Sequence, residues 1–371
     1  MSIWVDSDEK LNHMLSALSD KHLLAVDTEF IRTSTFYPKI ALIQISDGTQ
    51  CFLVDVLAFR DFEGLKQLME DPSRTLIFHA CAEDLEVLEH GLNIIPDNIF
   101  DTQIAAGIAN VGYSMGYARL VHRLFEVELD KQETRSDWLA RPLTDRQIEY
   151  AADDVAYLHS LYGILTTMLS EQERQAWFEE ESLAVYTLVS DRKNTQDYHR
   201  KVKGAWKLGN ESLTALKRLC DWREVTARSL DKPRSHVVKD NSLLEIARRM
   251  PVVLTEMQGI DDLYGGTIKR HGNALLQEVS IARHDQPLQR LPEPLSKSVS
   301  AVMKAMRVGL NALAEGIELP QEFLSNKKEL ESIVRSASEG SCVWPDRLNA
   351  GWREGLVKSV LQEVLIEAKL Q

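Results

Sequence analysis

The chain of 371 residues is long enough for two or three domains. Its 44% hydrophobic and 27% charged residues are typical of a soluble globular protein, and the lack of a long apolar stretch or of a signal-peptide layout argues against membrane and secreted classes, so we expect a cytoplasmic protein. The net charge of −13 excludes a uniformly basic nucleic-acid binder, although local clusters of Lys and Arg can still bind nucleic acid.

The first predicted strand ends in two carboxylates. Apolar residues 23–26 predict a buried strand, and Asp27 and Glu29 follow it in the sequence VDTEF. Because residues i and i+2 of a strand lie on one face, we expect both side chains to point the same way. Close carboxylates repel each other unless a cation lies between them. Alone, this pair fits either a solvated turn or part of a metal site.

A second acidic position follows the strand-like run TLIFHA. The next residues, AEDLEVLEHGL, have helical periodicity, with Leu85 and Leu88 facing inward. Asp84 is therefore expected near a strand-to-helix junction, a common location for site residues in open α/β folds. Alternatively, Glu83 and Asp84 are helix N-terminal charges that the helix dipole favours. Further along, Asp101 in FDTQIAA is expected to cap the next helix.

The polar segment LDKQETRSDWLARPLT carries Lys131, Arg135, Arg141 and Trp138. It fits either a solvated loop that ends in a helix start, or a substrate grip with cations on phosphates and Trp138 in the core or stacked on a base. We expect Trp138 in the core. Gln44, in the strand-like sequence ALIQIS, is a weaker substrate-binding candidate, for which a structural role is favoured.

The third acidic position lies on a predicted helix that opens at Thr144 and continues to residue 169. Tyr150 and Asp154 are i and i+4, so a phenol and a carboxylate project from one face and can address the same water. Alternatively, Asp153 and Asp154 are surface residues of an amphipathic helix. No acidic position is decisive alone, but together they match what a pair of hard cations needs.

The C-terminal half has a different character. Residues 192–207 contain six Lys or Arg and one Asp, which fits either a basic nucleic-acid track or a solvated linker. After residue 205, helical periodicity replaces the strand-like runs. Residues 236–247 and 322–333 resemble two copies of one motif, so we predict two tandem helical modules. The paired hydrophobic positions are Val237 with Phe323, Val238 with Leu324 and Leu244 with Leu330.

The three acidic motifs resemble those of the DEDDy 3′→5′ exonucleases and, among these, of the ribonuclease D family. DTEF, HACAEDLEV and YAADD occur in the family's order, and the last has its Tyr-x-x-x-Asp form. IRTSTFYPKIALIQISDG, FDTQIAA and LDKQETRSDWLARPLT are also similar to family segments, and residues 205–279 are similar to the HRDC domain. One departure is that His79 and Glu83-Asp84 replace an Asn and an aromatic-Asp pair, so Glu83 competes with Asp84 for the ligand role.

This resemblance implies an α/β ribonuclease H-like exonuclease domain, with a mixed sheet flanked by helices, followed by two all-α HRDC-like helical domains. The expected exonuclease domain covers residues 1–190 and a basic linker covers 191–204. The first HRDC domain is expected at 205–288, and a divergent second one at 289–371. We also expect that a chain lacking the residues beyond about 205 binds RNA less tightly but keeps some activity.

The resemblance also implies the chemistry. Asp27, Glu29, Asp84 and Asp154 are expected to bind two divalent cations, Mg²⁺ or Mn²⁺, and Tyr150 to position the attacking water. The expected function is a 3′→5′ exoribonuclease that releases nucleoside 5′-monophosphates and trims tRNA precursors with free 3′ ends and other structured RNAs, without an obligate protein partner. The alternatives are a 3′→5′ exonuclease acting on DNA and a catalytically inactive nucleic-acid-binding scaffold. Retention of all four acids and the tyrosine argues against the scaffold.

Overall fold

The computed structural model describes residues 2–130, 133, 134, 136–191 and 197–370. The chain divides into two units that each pack internally. The first comprises Met1–Ile31, Ile40–Val189 and Leu295–Gln371, and the second comprises Arg32–Lys39 and Ser190–Pro294. Among the described residues, every helix is too short or too polar to span a bilayer.

A mixed β-sheet forms the centre of the first unit. Its strands, within the described residues, are β1 (Ser2–Val5), β2 (Leu23–Ile31), β3 (Lys39–Ser46), β4 (Cys51–Asp55), β5 (Thr75–Phe78) and β6 (Ile99–Asp101). They are ordered β1-β4-β3-β2-β5-β6. Strand β1 is parallel to β4, and β2 and β6 are parallel to β5, whereas β3 is antiparallel to β4. The predicted mixed sheet is confirmed.

Helices flank both faces of this sheet. Successive residues of β2 alternate between two hydrophobic cores, with Leu24 and Val26 in one core and Ala25 in the other. Each core is closed by helices, so the central strand is buried on both sides. The helices of this part of the unit are α1 (Asp8–Ala17), α2 (Glu63–Met69), α3 (Ala82–Leu92), α4 (Thr102–Ile108), α5 (Tyr117–Phe125), α6 (Asp145–Ala156), α7 (Leu158–Glu171) and α8 (Gln175–Asp191).

The predicted long helix after Thr144 consists of two helices, α6 and α7, separated at Tyr157. Its start is as predicted, because the Thr144 side chain caps α6 in a capping box with Gln147. The interruption comes from Tyr117, whose hydroxyl donates to the Asp153 carbonyl oxygen at 2.9 Å and accepts from the Tyr157 amide at 3.0 Å. The Tyr117 hydroxyl therefore replaces the helical hydrogen bond between the Tyr157 amide and the Asp153 carbonyl oxygen. The prediction of one continuous helix is wrong.

The second unit is helical, as predicted. The segment 32–39 belongs to it, since Phe36 packs in its core and Asp231 Oδ1 accepts hydrogen bonds from the amides of Phe36 and Tyr37 at 3.0 Å each. A short piece of chain after β2 is therefore folded with residues nearly 200 positions later. The helices of the unit are α9 (Asn210–Ser229), α10 (Arg234–Val237), α11 (Asp240–Arg249) and α12 (Gly265–Ala282).

The predicted basic linker, residues 191–204, is only partly described. Residues 192–196 lie outside the described part of the chain. Tyr198–Lys201 form a 3-10 turn in which His199 is buried, and Val202 packs in the core of the second unit. The later part of this segment is therefore folded into that unit.

The C-terminal helices repeat the element order of the second unit. They are α13 (Lys297–Gly316), α14 (Gln321–Leu324), α15 (Lys327–Ser338) and α16 (Ser359–Glu367). Helix α14 starts 87 residues after α10, and α15 starts 87 residues after α11. The predicted alignment, which placed Leu330 beside Leu244, is wrong by one residue. Leu330 corresponds to Leu243, which is buried on the core face of its helix as Leu330 is.

The C-terminal helices share a hydrophobic core with the sheet side of the first unit. Leu310 of α13 and Ile333 of α15 lie in the same cluster as Ile108 of α4 and Leu165 of α7. All four side chains are fully buried. Residues 295–371 therefore fold as part of the first unit, and the three-domain boundaries given above stay a prediction.

A buried arginine reinforces this packing. The Arg353 side chain is fully buried; its Nη1 donates to Glu180 Oε1 at 2.6 Å, and its Nε donates to the Phe323 carbonyl oxygen at 2.9 Å. It also pairs with Glu181. A buried charge needs such partners because it has lost its hydration. The ion pairs of Arg353 therefore connect α8 to the C-terminal part of the chain, and removing one partner is costly.

Candidate active site

Three carboxylates converge where β2 passes α6. Asp27 and Glu29 lie on β2, and Asp154 lies on α6. One carboxylate oxygen from each residue lies within 4.8 Å of the other two. Oxygen ligands at this spacing can bind a hard divalent cation. The structure therefore brings together the first and third acidic positions of the sequence.

Asp84 lies beside this group. It is in the first turn of α3, is 7% exposed, and its Oδ1 accepts a 2.5 Å hydrogen bond from Thr28 Oγ1. Thr28 lies between Asp27 and Glu29 on β2, and the charge of Asp84 raises the pKa values of both acids. Glu83 is exposed. Of the two neighbouring acids, the structure places Asp84 at the site.

The cluster is strongly repulsive because it is buried. Burial raises the pKa of Asp27 well above its usual range, and the charges of Asp84 and Asp154 raise it further. Burial, followed by the charges of Asp154 and Asp84, raises the pKa of Glu29 to about 9. Burial also raises the pKa values of Asp84 and Asp154 to about 7. A divalent cation would offset this repulsion, so these residues fit a metal centre.

Tyr150 lies one helical turn before Asp154, as its spacing predicts. Its hydroxyl acts on the Asp154 carboxyl, whose pKa it lowers, and lies 3.3 Å from Thr134 Oγ1. Burial, followed by the Asp154 charge, raises the pKa of the phenol above its usual value. The phenol is therefore protonated at neutral pH and can hydrogen-bond to a water at the carboxylates.

Two of the predicted substrate-binding residues are buried next to the site. Gln44 is fully buried on β3, and its Nε2 donates to Asp27 Oδ2 at 3.4 Å. Trp138 is 1% exposed, in the core as expected, and its ring lies 6.0 Å from that of Tyr150. Gln44 therefore contacts the Asp27 carboxylate, and Trp138 packs near the Tyr150 ring. These contacts agree with the structural role favoured for Gln44.

Of the three predicted cations of the polar segment, Arg141 lies in the described part of the chain. The Arg141 guanidinium donates two hydrogen bonds to the Asp55 carboxylate, at 2.8 and 2.6 Å, and one to the Ala41 carbonyl oxygen at 2.9 Å. These contacts give Arg141 a structural role in holding its segment to the sheet. Lys131 and Arg135 lie outside the described residues.

Thr28 and Tyr117 support the site but have no sequence signal. Thr28 lies between the two acids of β2, and strand alternation gives no reason to expect its hydroxyl on Asp84. Tyr117 lies 36 residues before Asp153, and its buried hydroxyl fixes the end of the helix that carries Asp154. Only the tertiary structure identifies these contacts, since no short-range pattern contains both partners.

His79, which lies where the wider exonuclease superfamily usually has an Asn, also has defined contacts. Its Nδ1 lies 2.9 Å from Thr102 Oγ1, and its Nε2 lies 2.9 Å from the Met115 carbonyl oxygen. Burial lowers the pKa of the imidazole. The ring therefore joins the end of β5 to the loop that leads into α5.

The site brings together carboxylates from an inner strand of a mixed sheet and from a neighbouring helix. This is the arrangement of a metal-dependent 3′–5′ exonuclease. Residues 2–170 match the 3'-5' exonuclease family, and residues 212–279 match the HRDC domain. The 3′–5′ exonuclease class therefore agrees with the cluster of carboxylates. Dependence of the activity on a divalent metal follows from this class.

Full-length relatives narrow this class to one family. The chain is 36% identical to ribonuclease D of Pseudomonas paraeruginosa over 98% of both chains, and 33% identical to ribonuclease D of Escherichia coli over 98% of both. The crystal structure of Escherichia coli RNase D, described as an exoribonuclease involved in structured RNA processing, matches with a TM-score of 0.87 and 32% identity over 99% of both chains. The chain belongs to the ribonuclease D family, and the protein is a 3′–5′ exoribonuclease.

Proposed function

We propose that this exoribonuclease removes nucleotides one at a time from RNA 3′ ends and releases nucleoside 5′-monophosphates with two divalent cations. The observation that carries this proposal is the approach of the carboxylate oxygens of Asp27, Glu29 and Asp154 to within 4.8 Å, with Asp84 beside them. Carboxylate oxygens suit Mg²⁺ or Mn²⁺. When bound, two such ions activate a water and stabilise the leaving 3′ oxygen.

The four acids have different roles in binding the two ions. Asp27 would contact both ions, because the charges of all three other acids act on it. Glu29 and Asp154 would help to hold the ion that activates the water, and Asp84 would help to hold the other. The hydrogen bond from Thr28 keeps the Asp84 carboxylate in one orientation.

Tyr150 orients the attacking water. Its phenol lowers the pKa of the neighbouring Asp154 carboxyl, and burial raises the pKa of the phenol above its usual value. A protonated phenol can fix a water by hydrogen bonding but cannot remove its proton as a free base. Gln44 has a supporting role, because its amide touches Asp27 and restrains that carboxylate.

The substrates that we propose are tRNA precursors with free 3′ ends and other structured RNAs. Membership of the ribonuclease D family supports this, as does the description of the Escherichia coli relative. Substrate binding by Lys131, Arg135, Arg141 and Trp138 stays a prediction, although the contacts of Arg141 and the burial of Trp138 favour structural roles. We propose that the protein acts without an obligate protein partner.

A direct test offers the purified protein matched RNA and DNA oligonucleotides labelled at the 3′ end, with Mg²⁺, with Mn²⁺ and with a chelator. We expect release of labelled 5′-monophosphate from RNA with either metal and none with the chelator. Asp84→Asn is the matched variant, since it removes one charge and keeps the side-chain size, and it should be inactive on both substrates. Faster hydrolysis of DNA than of RNA, or activity in the chelator, would contradict the proposal.

A further inference from the structure

Helix α5 presents a cationic face. Its sequence, YARLVHRLF, contains no acidic residue; Leu120 and Val121 are buried, whereas Arg119, His122 and Arg123 are exposed. These three exposed residues lie three and four positions apart, so they are neighbours on one side of the helix. Among the described residues, none of their side chains has an ion-pair or hydrogen-bond partner.

These three side chains line a cavity of about 480 Å³. Met115, just before the helix, and Glu128, just after it, line the same cavity. In a chain with a net charge of −13, arginines without acidic partners are a local source of positive potential. Such a cluster favours an anionic ligand. Glu128, which also lines the cavity, carries a negative charge that would repel such a ligand.

The start of α5 is fixed to the catalytic centre. The Tyr117 hydroxyl bonds to the Asp153 carbonyl oxygen and to the Tyr157 amide, on either side of Asp154 in sequence. The Met115 carbonyl oxygen lies 2.9 Å from His79 Nε2. The cationic face therefore begins at the helix junction that carries a metal-binding carboxylate, and its position relative to that carboxylate is restrained.

We propose that Arg119 and Arg123, with His122, bind backbone phosphates of the RNA upstream of the 3′-terminal bond that is cut. This inference rests on the active site proposed above. Guanidinium groups bind phosphate oxygens in pairs of hydrogen bonds. Phosphate contacts carry no sequence information, which suits an exonuclease that must hold each new 3′ end regardless of sequence.

The test compares Arg119→Gln/Arg123→Gln with the wild type on a single-stranded RNA of 20 nucleotides or so. Binding is measured without divalent cation, so that the RNA is not cut, as a function of salt. We expect about tenfold weaker binding, and a salt dependence reduced by about 1.4 in log–log slope, since each phosphate of a single strand contributes about 0.7. Arg60→Gln is the control, because Arg60 is also exposed and does not line this cavity.

Two further arms separate phosphate binding from damage to the catalytic centre. A dinucleotide has no upstream phosphate, so the double variant should cut it with the wild-type kcat/KM while losing about tenfold on the longer RNA. Glu128→Gln, which removes the opposing charge, should bind the longer RNA more tightly. Wild-type affinity and salt slope in the double variant would overturn the inference, as would an equal loss on both substrates. A wild type that releases no monophosphate would instead contradict the proposed function.

Discussion

The Tyr117 hydroxyl donates a 2.9 Å hydrogen bond to the carbonyl oxygen of Asp153, in the last turn of the helix that carries the catalytic carboxylate. This contact ends α6 and turns the chain into α7. It sets the backbone of the residue directly before Asp154. A residue far from the acidic motifs in sequence therefore positions one of the metal-binding groups.

Tyr117→Phe should weaken metal activation. Loss of the hydroxyl leaves the Asp153 carbonyl and the Tyr157 amide without their partner, which costs about 1–2 kcal/mol of stability and loosens Asp154. Since groups that orient a metal ligand are worth about 10–100-fold in metal affinity, we expect the Mn²⁺ concentration for half-maximal activity to rise by that order. Titration of activity with Mn²⁺ measures this change.

Tyr162→Phe is the matched control for that experiment. The Tyr162 ring packs against Phe100 at 4.7 Å in the same hydrophobic cluster. Its loss of a hydroxyl should leave the Mn²⁺ requirement unchanged. An unchanged Mn²⁺ requirement in Tyr117→Phe as well would remove Tyr117 from the positioning of Asp154.

Tyr150→Phe should lower kcat and leave metal binding nearly intact. The phenol lies one helical turn before Asp154 but is not itself a metal ligand in our assignment. We expect kcat to fall by about a hundredfold, the loss typical of a misplaced reacting group, with an unchanged Mn²⁺ requirement. Rates measured from pH 6 to 9 give the test. Equal rates for the two proteins across this range would exclude Tyr150 from the mechanism.

The stability of the metal-free protein should fall as pH rises, and a bound metal should restore it. The carboxyls of Asp84 and Asp154 have pKa values of about 7 in the folded protein, and Glu29 about 9, against about 4 when unfolded. The folded state therefore binds more protons than the unfolded state between about pH 4 and pH 9, and the free energy of unfolding of the metal-free protein falls as pH rises through this range. A bound divalent cation replaces those protons and restores the stability lost at high pH.

Thermal unfolding with Mn²⁺ and with a chelator measures this effect. The increase in Tm due to metal should be larger at pH 8 than at pH 5, because protons no longer compete at the higher pH. The same increase at both values would show that the acids do not hold protons in the metal-free protein.

Arg353→Ala should destabilise the first unit. The substitution leaves the carboxylates of Glu180 and Glu181 without their buried partner, which costs about 3 kcal/mol. Urea unfolding followed by circular dichroism measures the loss. Lys10→Ala is the control, since its exposed pair with Asp6 is worth less than about 1 kcal/mol. A similar small loss for both variants would show that the ion pairs of Arg353 contribute little to the stability of the unit.

The acidic site was predictable because each part depends on a short pattern. Asp27 and Glu29 follow an apolar run at strand spacing, and Tyr150 and Asp154 have helical spacing after a capping signal at Thr144. These relationships extend over a few residues, so they can be predicted without the tertiary fold. Asp84 follows a strand-like run at the start of a helical pattern, and the family resemblance then supplied the reaction.

Long-range packing was not predictable. The sequence suggests that the chain beyond residue 205 can be removed, yet Leu310 and Ile333 complete the core around Ile108 and Leu165. A chain without the C-terminal helices would expose that core, so we now expect it to be unstable and not merely weaker in RNA binding. The break at Tyr157 has the same origin, because it depends on a side chain 40 residues away.

The most direct test of the metal-centre assignment is hydrolysis of 3′-labelled RNA by Asp154→Asn in saturating Mn²⁺, with folding checked by circular dichroism. The variant keeps the size of the side chain but removes one of three carboxylates that lie within 4.8 Å of one another. We predict a folded protein that binds RNA and releases 5′-monophosphate at least about a hundredfold more slowly than the wild type. Wild-type hydrolysis by the folded variant would contradict the assignment.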